Sequence, residues 1–266
     1  MKVIVPIKQV YDPGTVRVSR SRGILDTRDA ELMMNPGDRH ALEEALKLKD
    51  EQDAWVVAIS MGPGEAEDIL REALAMDVDE AVLVTDDIFA NVDASAAVRI
   101  LGEAINKLGE YDLILTGYRA AGDGTGEFGP RLSQYLGLPL VLRATHLTVH
   151  GGSLTARRML SSGYALVEAD LPVVAVVDEG ANKPRHPSLP GSIAAYDDRT
   201  VAIWGANELG LAQEDIAASS CTEVRSSFAG PERERGRVIT SQPRDAAREI
   251  LEELKSRGLT HRQIVG

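Results

Sequence analysis

Five short apolar runs, each separated from the next by a stretch of helical periodicity, constrain this chain more tightly than any other feature of its sequence. Val3 to Ile7, Trp55 to Ser60, Ala81 to Thr85, Asp112 to Thr116 and Pro172 to Val177 are nearly continuous in apolar residues. That is the pattern of strands covered on both faces. Between them, Asp38 to Lys49, Gly64 to Met76, Asp93 to Leu108 and Pro130 to Leu136 carry apolar residues three and four apart, as Leu42, Ala45 and Leu46 do in the first and Ile69, Ala73 and Leu74 in the second. Strands that alternate with helices predict an α/β fold with a doubly wound, mostly parallel sheet.

Two stretches break the alternation. From Tyr11 to Met34, Val16 and Val18 alternate with charged residues and Gly23 punctuates, which predicts a small exposed hairpin. Asp178 to Pro190 contains Pro184, Pro187 and Pro190 and reads as an exposed loop. Beyond Tyr196 there is one short strand, Val201 to Trp204, then a polar segment with Pro231 and Pro243, then an amphipathic helix from Arg244 to Ser256.

Charge divides the chain at about the same place. The whole carries 29 Lys+Arg against 41 Asp+Glu, a net charge of −12, which argues against a nucleic-acid binder. Residues 1–198 hold 19 basic and 31 acidic side chains, whereas 199–266 hold 10 of each. The expected organisation is an α/β body, 1–198, and an electroneutral C-terminal arm, 199–266, that buries little by itself and lies on something else. No apolar run exceeds Leu171 to Val177, far short of the roughly 20 residues of a membrane span. The N-terminal apolar stretch is too short for a signal-peptide core, Cys221 is the lone cysteine, and five scattered histidines lack metal-ligand spacing. A cytoplasmic protein without metal is expected.

Open parallel sheets bind ligands outside the carboxyl ends of their strands, and three such ends carry loop chemistry here. Ser60-Met61-Gly62-Pro63-Gly64 is either an ordinary turn or a helix start whose N–H groups attract phosphate. Thr116-Gly117-Tyr118-Arg119-Ala120-Ala121-Gly122-Asp123-Gly124-Thr125-Gly126-Glu127-Phe128-Gly129-Pro130 contains a GxGxxG match, but a long loop separates it from its strand and no acidic residue follows about 20 positions on for a ribose. A dehydrogenase fingerprint is therefore disfavoured. A glycine-rich phosphate loop opening a helix remains, with Thr125 as hydroxyl donor and Arg119 as phosphate partner. In Asn35-Pro36-Gly37-Asp38, Asp38 is expected as a helix N-cap and Asn35 as a reader of an adenine edge or ribose. No Ser/His/Asp, Cys/His or paired-carboxylate set emerges, so the expectation is a nucleotide pocket in a Rossmann-like fold without catalytic residues.

Together these stretches resemble the β subunit of electron transfer flavoproteins. Lys8-Gln9-Val10-Tyr11-Asp12-Pro13 is similar to that family's Lys-Gln-Val-Pro-Asp segment, and Asn35 to Asp38 followed by Ala41-Leu42-Glu43-Glu44-Ala45-Leu46 to its Asn-Pro-x-Asp helix. Ser60 to Pro63 with Leu70 to Met76, the glycine loop, and Pro184-Arg185-His186-Pro187-Ser188-Leu189-Pro190-Gly191 complete the series. The resemblance implies a heterodimer whose α subunit holds the redox-active FAD, while the β subunit binds AMP through Pro6, Asn35 to Asp38, Met61 and Gly117 to Phe128. It also implies that the arm wraps the α subunit and that Leu189 anchors partner dehydrogenases, acyl-CoA dehydrogenases among them.

The chain departs from the pattern in places. Arg157-Arg158-Met159-Leu160-Ser161-Ser162-Gly163-Tyr164 stands where the family runs through acidic residues, and Tyr11 replaces the usual proline. Gly122 to Pro130 looks closer to the variant in electron-bifurcating members, where the β pocket takes a second FAD and NADH, although Gly122 replaces that variant's leading aspartate. A stand-alone adenine-nucleotide-binding protein is a third alternative. It is disfavoured because Ile7-Lys8-Gln9 follows the first strand in place of a pyrophosphate loop.

Overall fold

In β1 (Lys2–Pro6) the side chains alternate between two helical layers, Val3 and Val5 facing one and Ile4 the other, and none of the three is exposed. The computed structural model describes residues 1–19, 24–122, 124–223, 225 and 236–259. After β1 come β2 (Gln9–Tyr11), β3 (Arg17–Ser19), β4 (Ile24–Asp26) and β5 (Leu32–Met34), which form two antiparallel ribbons, β3 with β4 and β2 with β5. The predicted hairpin is thus one ribbon leading into another.

From there the expected alternation holds: α1 (Pro36–Gln52), β6 (Trp55–Met61), α2 (Glu67–Ala75), β7 (Glu80–Val84), α3 (Ala94–Lys107), β8 (Leu113–Gly117) and α4 (Phe128–Leu136). Three strands without continuous apolar runs come next, β9 (Leu140–His150), β10 (Ser153–Leu160) and β11 (Gly163–Asp170). Their burial alternates, with Leu154 and Ala156 of β10 buried and the alternate residues Thr155 and Arg157 exposed, because one face packs on the core and the other does not. The chain continues through β12 (Val173–Val177), α5 (Leu189–Asp197), β13 (Val201–Trp204), α6 (Ala206–Leu209), α7 (Gln213–Ser219) and α8 (Pro243–Ser256).

Nine strands form one sheet in the order β11-β10-β9-β12-β8-β1-β6-β7-β13. Every pairing from β9 to β13 is parallel, and β10 and β11 add an antiparallel edge. α1, α2 and α5 cover one face, and α3, α4 and α7 the other. The loop expected to run to Pro190 ends at Ser188 instead: the Ser188 hydroxyl accepts from Gly191 N at 3.0 Å, and Leu189 and Pro190 are the first helical residues of α5.

Two compact units divide the chain, Met1–Phe228 and Ala229–Gly266. The division falls well beyond the step in charge at 198, since β13 pairs in register with β7 (Val201 beside Ala81, Trp204 beside Val84) and belongs to the sheet. In the second unit α8 has no buried residue and leaves Ile250, Leu251 and Leu254 exposed. No helix among the described residues is long and apolar enough to cross a membrane.

Ile114 sits at the centre of the sheet with no exposure, paired to β1 on one side and β12 on the other. Ile114→Ala should lower the unfolding free energy by about 3 kcal/mol, the usual cost of a cavity in a packed core. Urea unfolding of the full chain measures it.

Candidate nucleotide-binding cleft

The carboxyl ends of β1, β6, β7 and β8 open onto one cleft of about 980 Å³. The chain runs from β1 to β6 and β7 on one side, then returns to β8 on the other side of β1. That reversal is the topological switch point at which open α/β sheets bind ligands.

The base of the cleft is built by close approach. A Cβ on Gly117 would collide with the Asp38 carboxylate and the Gly37 backbone, so the end of β8 reaches the first turn of α1 only because no side chain stands between them. Asn35, 1% exposed, then ties down the loop that follows: its Nδ2 donates to Arg119 O at 2.9 Å and its Oδ1 accepts from Ala121 N at 3.0 Å. Both halves of the amide are engaged by backbone, which corrects the expectation that Asn35 reads a base or ribose. Gly126 has a left-handed φ of +68°, and a Cβ there would come 3.1 Å from Tyr118 O.

Asp38 is also corrected. Asn35 occupies the N-cap position of α1 and Pro36 its first turn, while Asp38 lies inside the helix, buried, with Oδ2 accepting from Lys8 N at 2.8 Å. Burial pushes its carboxyl up to about 7, against hydrogen bonds from the Asn35 side chain and the Lys8 and Gly117 backbone that favour the charged form.

The wall opposite the glycine loop comes from residues 85–101, whose strand and helix the sequence predicts but none of which it marks as part of a site. Thr85, Asp86, Asp87, Phe89 and Val92 follow β7, and Asp93, Ala97 and Leu101 come from the start of α3. The strand-end rule that found the other three loops, applied to β7, would have found this one. Two of its three carboxylates, Asp86 and Asp93, are held by protein donors. Asp86 accepts from Ile88 N at 3.2 Å and Ala206 N at 3.0 Å, and these bonds hold its carboxyl below the usual range. Asp93 caps α3 through Ala96 N at 3.0 Å and accepts from Cys221 N, Thr222 N and Thr222 Oγ1 at 2.7–2.9 Å. Burial opposes its ionisation, but the four bonds outweigh it and bring the carboxyl down to about 2.

Of the expected contacts, Pro6, Asp38, Met61, Gly117, Tyr118, Arg119, Ala120, Thr125, Gly126, Glu127 and Phe128 line the cleft. Asn35, Pro36, Gly37, Ala121, Gly122 and Gly124 are not in its lining. Asp123 lies outside the described residues. Arg119 stacks over the Tyr118 ring at 4.7 Å, and Arg143, paired to Asp178 at 2.9 Å, approaches the same ring at 5.2 Å. Loop N–H groups, the first turns of α3 and α4, the Arg119 cation and the apolar surfaces of Phe89, Leu101 and Phe128 together fit a phosphate joined to a flat ring. Leu189 stands outside the cleft at the start of α5, 77% exposed.

Fold and cleft define a doubly wound α/β protein with its crevice at the switch point, and comparison with known proteins gives the family. The model of the electron transfer flavoprotein domain matches residues 22–203. The electron transfer flavoprotein subunit beta of Thermoanaerobacterium thermosaccharolyticum is 34% identical over 258 residues, 97% of this chain and 99% of that protein. The subunit of the same name from Clostridium acetobutylicum is 35% identical over 256 residues, 96% and 98%. The caffeyl-CoA reductase-Etf complex subunit CarD of Acetobacterium woodii is 32% identical over 260 residues, 97% and 99%. The chain belongs to the electron transfer flavoprotein family, as a subunit of the β type, and electron transfer is its function.

The folded chain holds a proton on Asp38 up to about pH 7 that the unfolded chain releases near pH 4, so this residue makes stability fall as pH rises between those values. Asp38→Asn removes that fall. The advantage of the variant over the parent should grow by on the order of 2 kcal/mol between pH 5 and pH 8, as read by urea unfolding at the two pH values.

Proposed function

We propose that this chain is the β subunit of a cytoplasmic heterodimer in which an α subunit holds the FAD and the cleft described above holds AMP. The observation that carries the nucleotide reading is the cleft itself, at the switch point and floored by the glycine loop. Backbone N–H groups of the loop residues that line the cleft, 117–120 and 125–128, would bind phosphate, with Arg119 and Lys8 adding positive charge in a chain whose net charge is −12. FAD supplies the electron chemistry when bound. The protein's part is to hold nucleotide and partner in place.

Further elements support the partner reading. Leu189, exposed at the head of a capped helix, would dock acyl-CoA or other dehydrogenases by entering an apolar pocket. Of residues 199–266, expected as the arm, β13 and α7 belong to the α/β body, so the part that would lie on the α subunit is the second unit, 229–266. The exposed Ile250, Leu251 and Leu254 of α8 suit a surface destined for burial.

A second reading, a bifurcating complex with a second FAD and NADH in this cleft, is favoured by size. About 980 Å³ lies at the upper end of the roughly 300–1,000 Å³ range of small-ligand sites and leaves room beyond a mononucleotide. Mass spectrometry of nucleotides extracted from the purified two-subunit complex separates the readings. One FAD and one AMP per complex is the expected result, and two FAD without AMP would establish the second reading instead. Leu189→Ala should slow reduction of the complex by its dehydrogenase about tenfold with flavin content unchanged, as followed by stopped-flow absorbance. Loss of flavin in that variant would make the position structural.

A further inference from the structure

The stretch that leads into α5 is fastened to α1 by side chains for which neither the cleft nor electron transfer has a use. Glu43 and Glu44 are adjacent on α1 and only 6% and 5% exposed. Glu43 Oε2 accepts from the backbone N of Arg185 at 2.9 Å and from its Nε at 3.0 Å, and Oε1 accepts from Nη2 at 3.2 Å. Asp50, two turns along the same helix, takes Nη2 at 2.7 Å. Glu44 Oε1 accepts from Asn182 Nδ2 and from Lys47 Nζ, both at 2.8 Å. The Asn182 amide completes the clasp, its Nδ2 donating to His40 O at 2.8 Å and its Oδ1 facing His40 Nδ1 at 2.9 Å.

Burying two neighbouring carboxylates is a poor way to gain stability, because desolvation cancels most of the attraction that the pairs recover. Their return is conformational. Four residues of α1 hold Asn182 and Arg185, and three residues further on Ser188 caps α5. On the other side of Leu189, a Cβ on Gly191 would collide with the carbonyl of Ala75, so the first turn of α5 sits directly on the end of α2. Leu189 is thereby fixed from both directions while 77% of its surface remains open.

We propose that Glu43 and Glu44 are positioning residues for partner docking. They hold residues 182–188 in one arrangement, so that Leu189 enters an apolar pocket on the dehydrogenase without the loop having to order at that moment. The inference rests on the docking role of Leu189. It adds that the cost of ordering the docking loop is met by α1, a helix whose opposite end forms the base of the cleft. Its effect falls on association with the dehydrogenase and not on nucleotide content or on the rate of electron transfer once docked.

The test uses the purified two-subunit complex and an acyl-CoA dehydrogenase that the unmodified complex accepts electrons from. Glu43→Gln/Glu44→Gln should raise amide exchange across 179–188 and raise the KM for the dehydrogenase about tenfold, with kcat within about twofold and FAD content unchanged. In combination with Leu189→Ala the losses should be less than additive, because both act on one step. Asn182→Ala/Arg185→Ala, which releases the same clasp from the loop side, should reproduce the exchange and KM changes, and it serves in place of the glutamate pair if that variant folds poorly. Faster exchange with an unchanged KM, unchanged exchange, or loss of FAD would each overturn the proposal while leaving the docking role of Leu189 standing. If Leu189→Ala alone leaves KM unchanged, the docking reading fails and the proposal falls with it.

Discussion

At Gly117 the last residue of β8 meets the first turn of α1 with no side chain between them, and the functional face of the protein is arranged around that contact. The contact sets α1 against the sheet at the switch point, which puts Asp38 under the cleft and Asn35 within reach of the loop backbone. Asn35 then gives a ten-residue connection rich in glycine two fixed points, Arg119 O and Ala121 N. A loop of that composition would otherwise sample many conformations, and its N–H groups could not converge on a ligand without a large ordering cost. The same helix, further along, fastens the loop before α5. One element therefore organises both the cleft and the exposed leucine.

Electrostatics explains how an acidic chain can present a phosphate site. The excess negative charge lies within residues 1–198, and three aspartates, Asp86, Asp87 and Asp93, line the cleft wall. Asp86 and Asp93 accept hydrogen bonds from backbone N–H groups of Ile88, α3, α6, Cys221 and Thr222, so part of their charge is compensated locally. Asp38 is treated differently: burial raises its carboxyl to about 7, so that it is partly neutral at that pH and the negative charge at the base of the cleft is reduced. Attraction for phosphate is left to loop N–H groups, helix N-termini and nearby cations, which act over short distances where net charge has little say.

How much was legible follows from what each feature needs from its surroundings. β1, β6, β7, β8 and β12 could be read almost to the residue, since a strand buried on both faces must be apolar throughout, and the edge strand β13 was legible from its short apolar run although Ala202 and Ile203 are exposed. β9, β10 and β11 could not, because a strand covered on one face mixes Leu154 and Ala156 with Thr155 and Arg157, and polar positions mask the pattern. The glycine loop and the Asn35–Asp38 turn were visible as unusual composition at strand ends. Their roles were not: an asparagine that reads a base and one that clamps a loop look alike until the partner carbonyl 84 residues away is in place.

The sequence by itself determined the alternation of strands and helices, the sheet class and the family, because periodicity and local motifs are properties of neighbouring residues. Tertiary structure alone decided which strand ends share a cleft, that β7 and α3 supply its far wall, that Asp38 is buried beneath it, and that Glu43 and Glu44 face Asn182 and Arg185 across some 140 residues of chain. Each of those depends on the order of strands in the sheet and on close approaches between distant segments, and neither leaves a local trace that hydrophobic spacing can report.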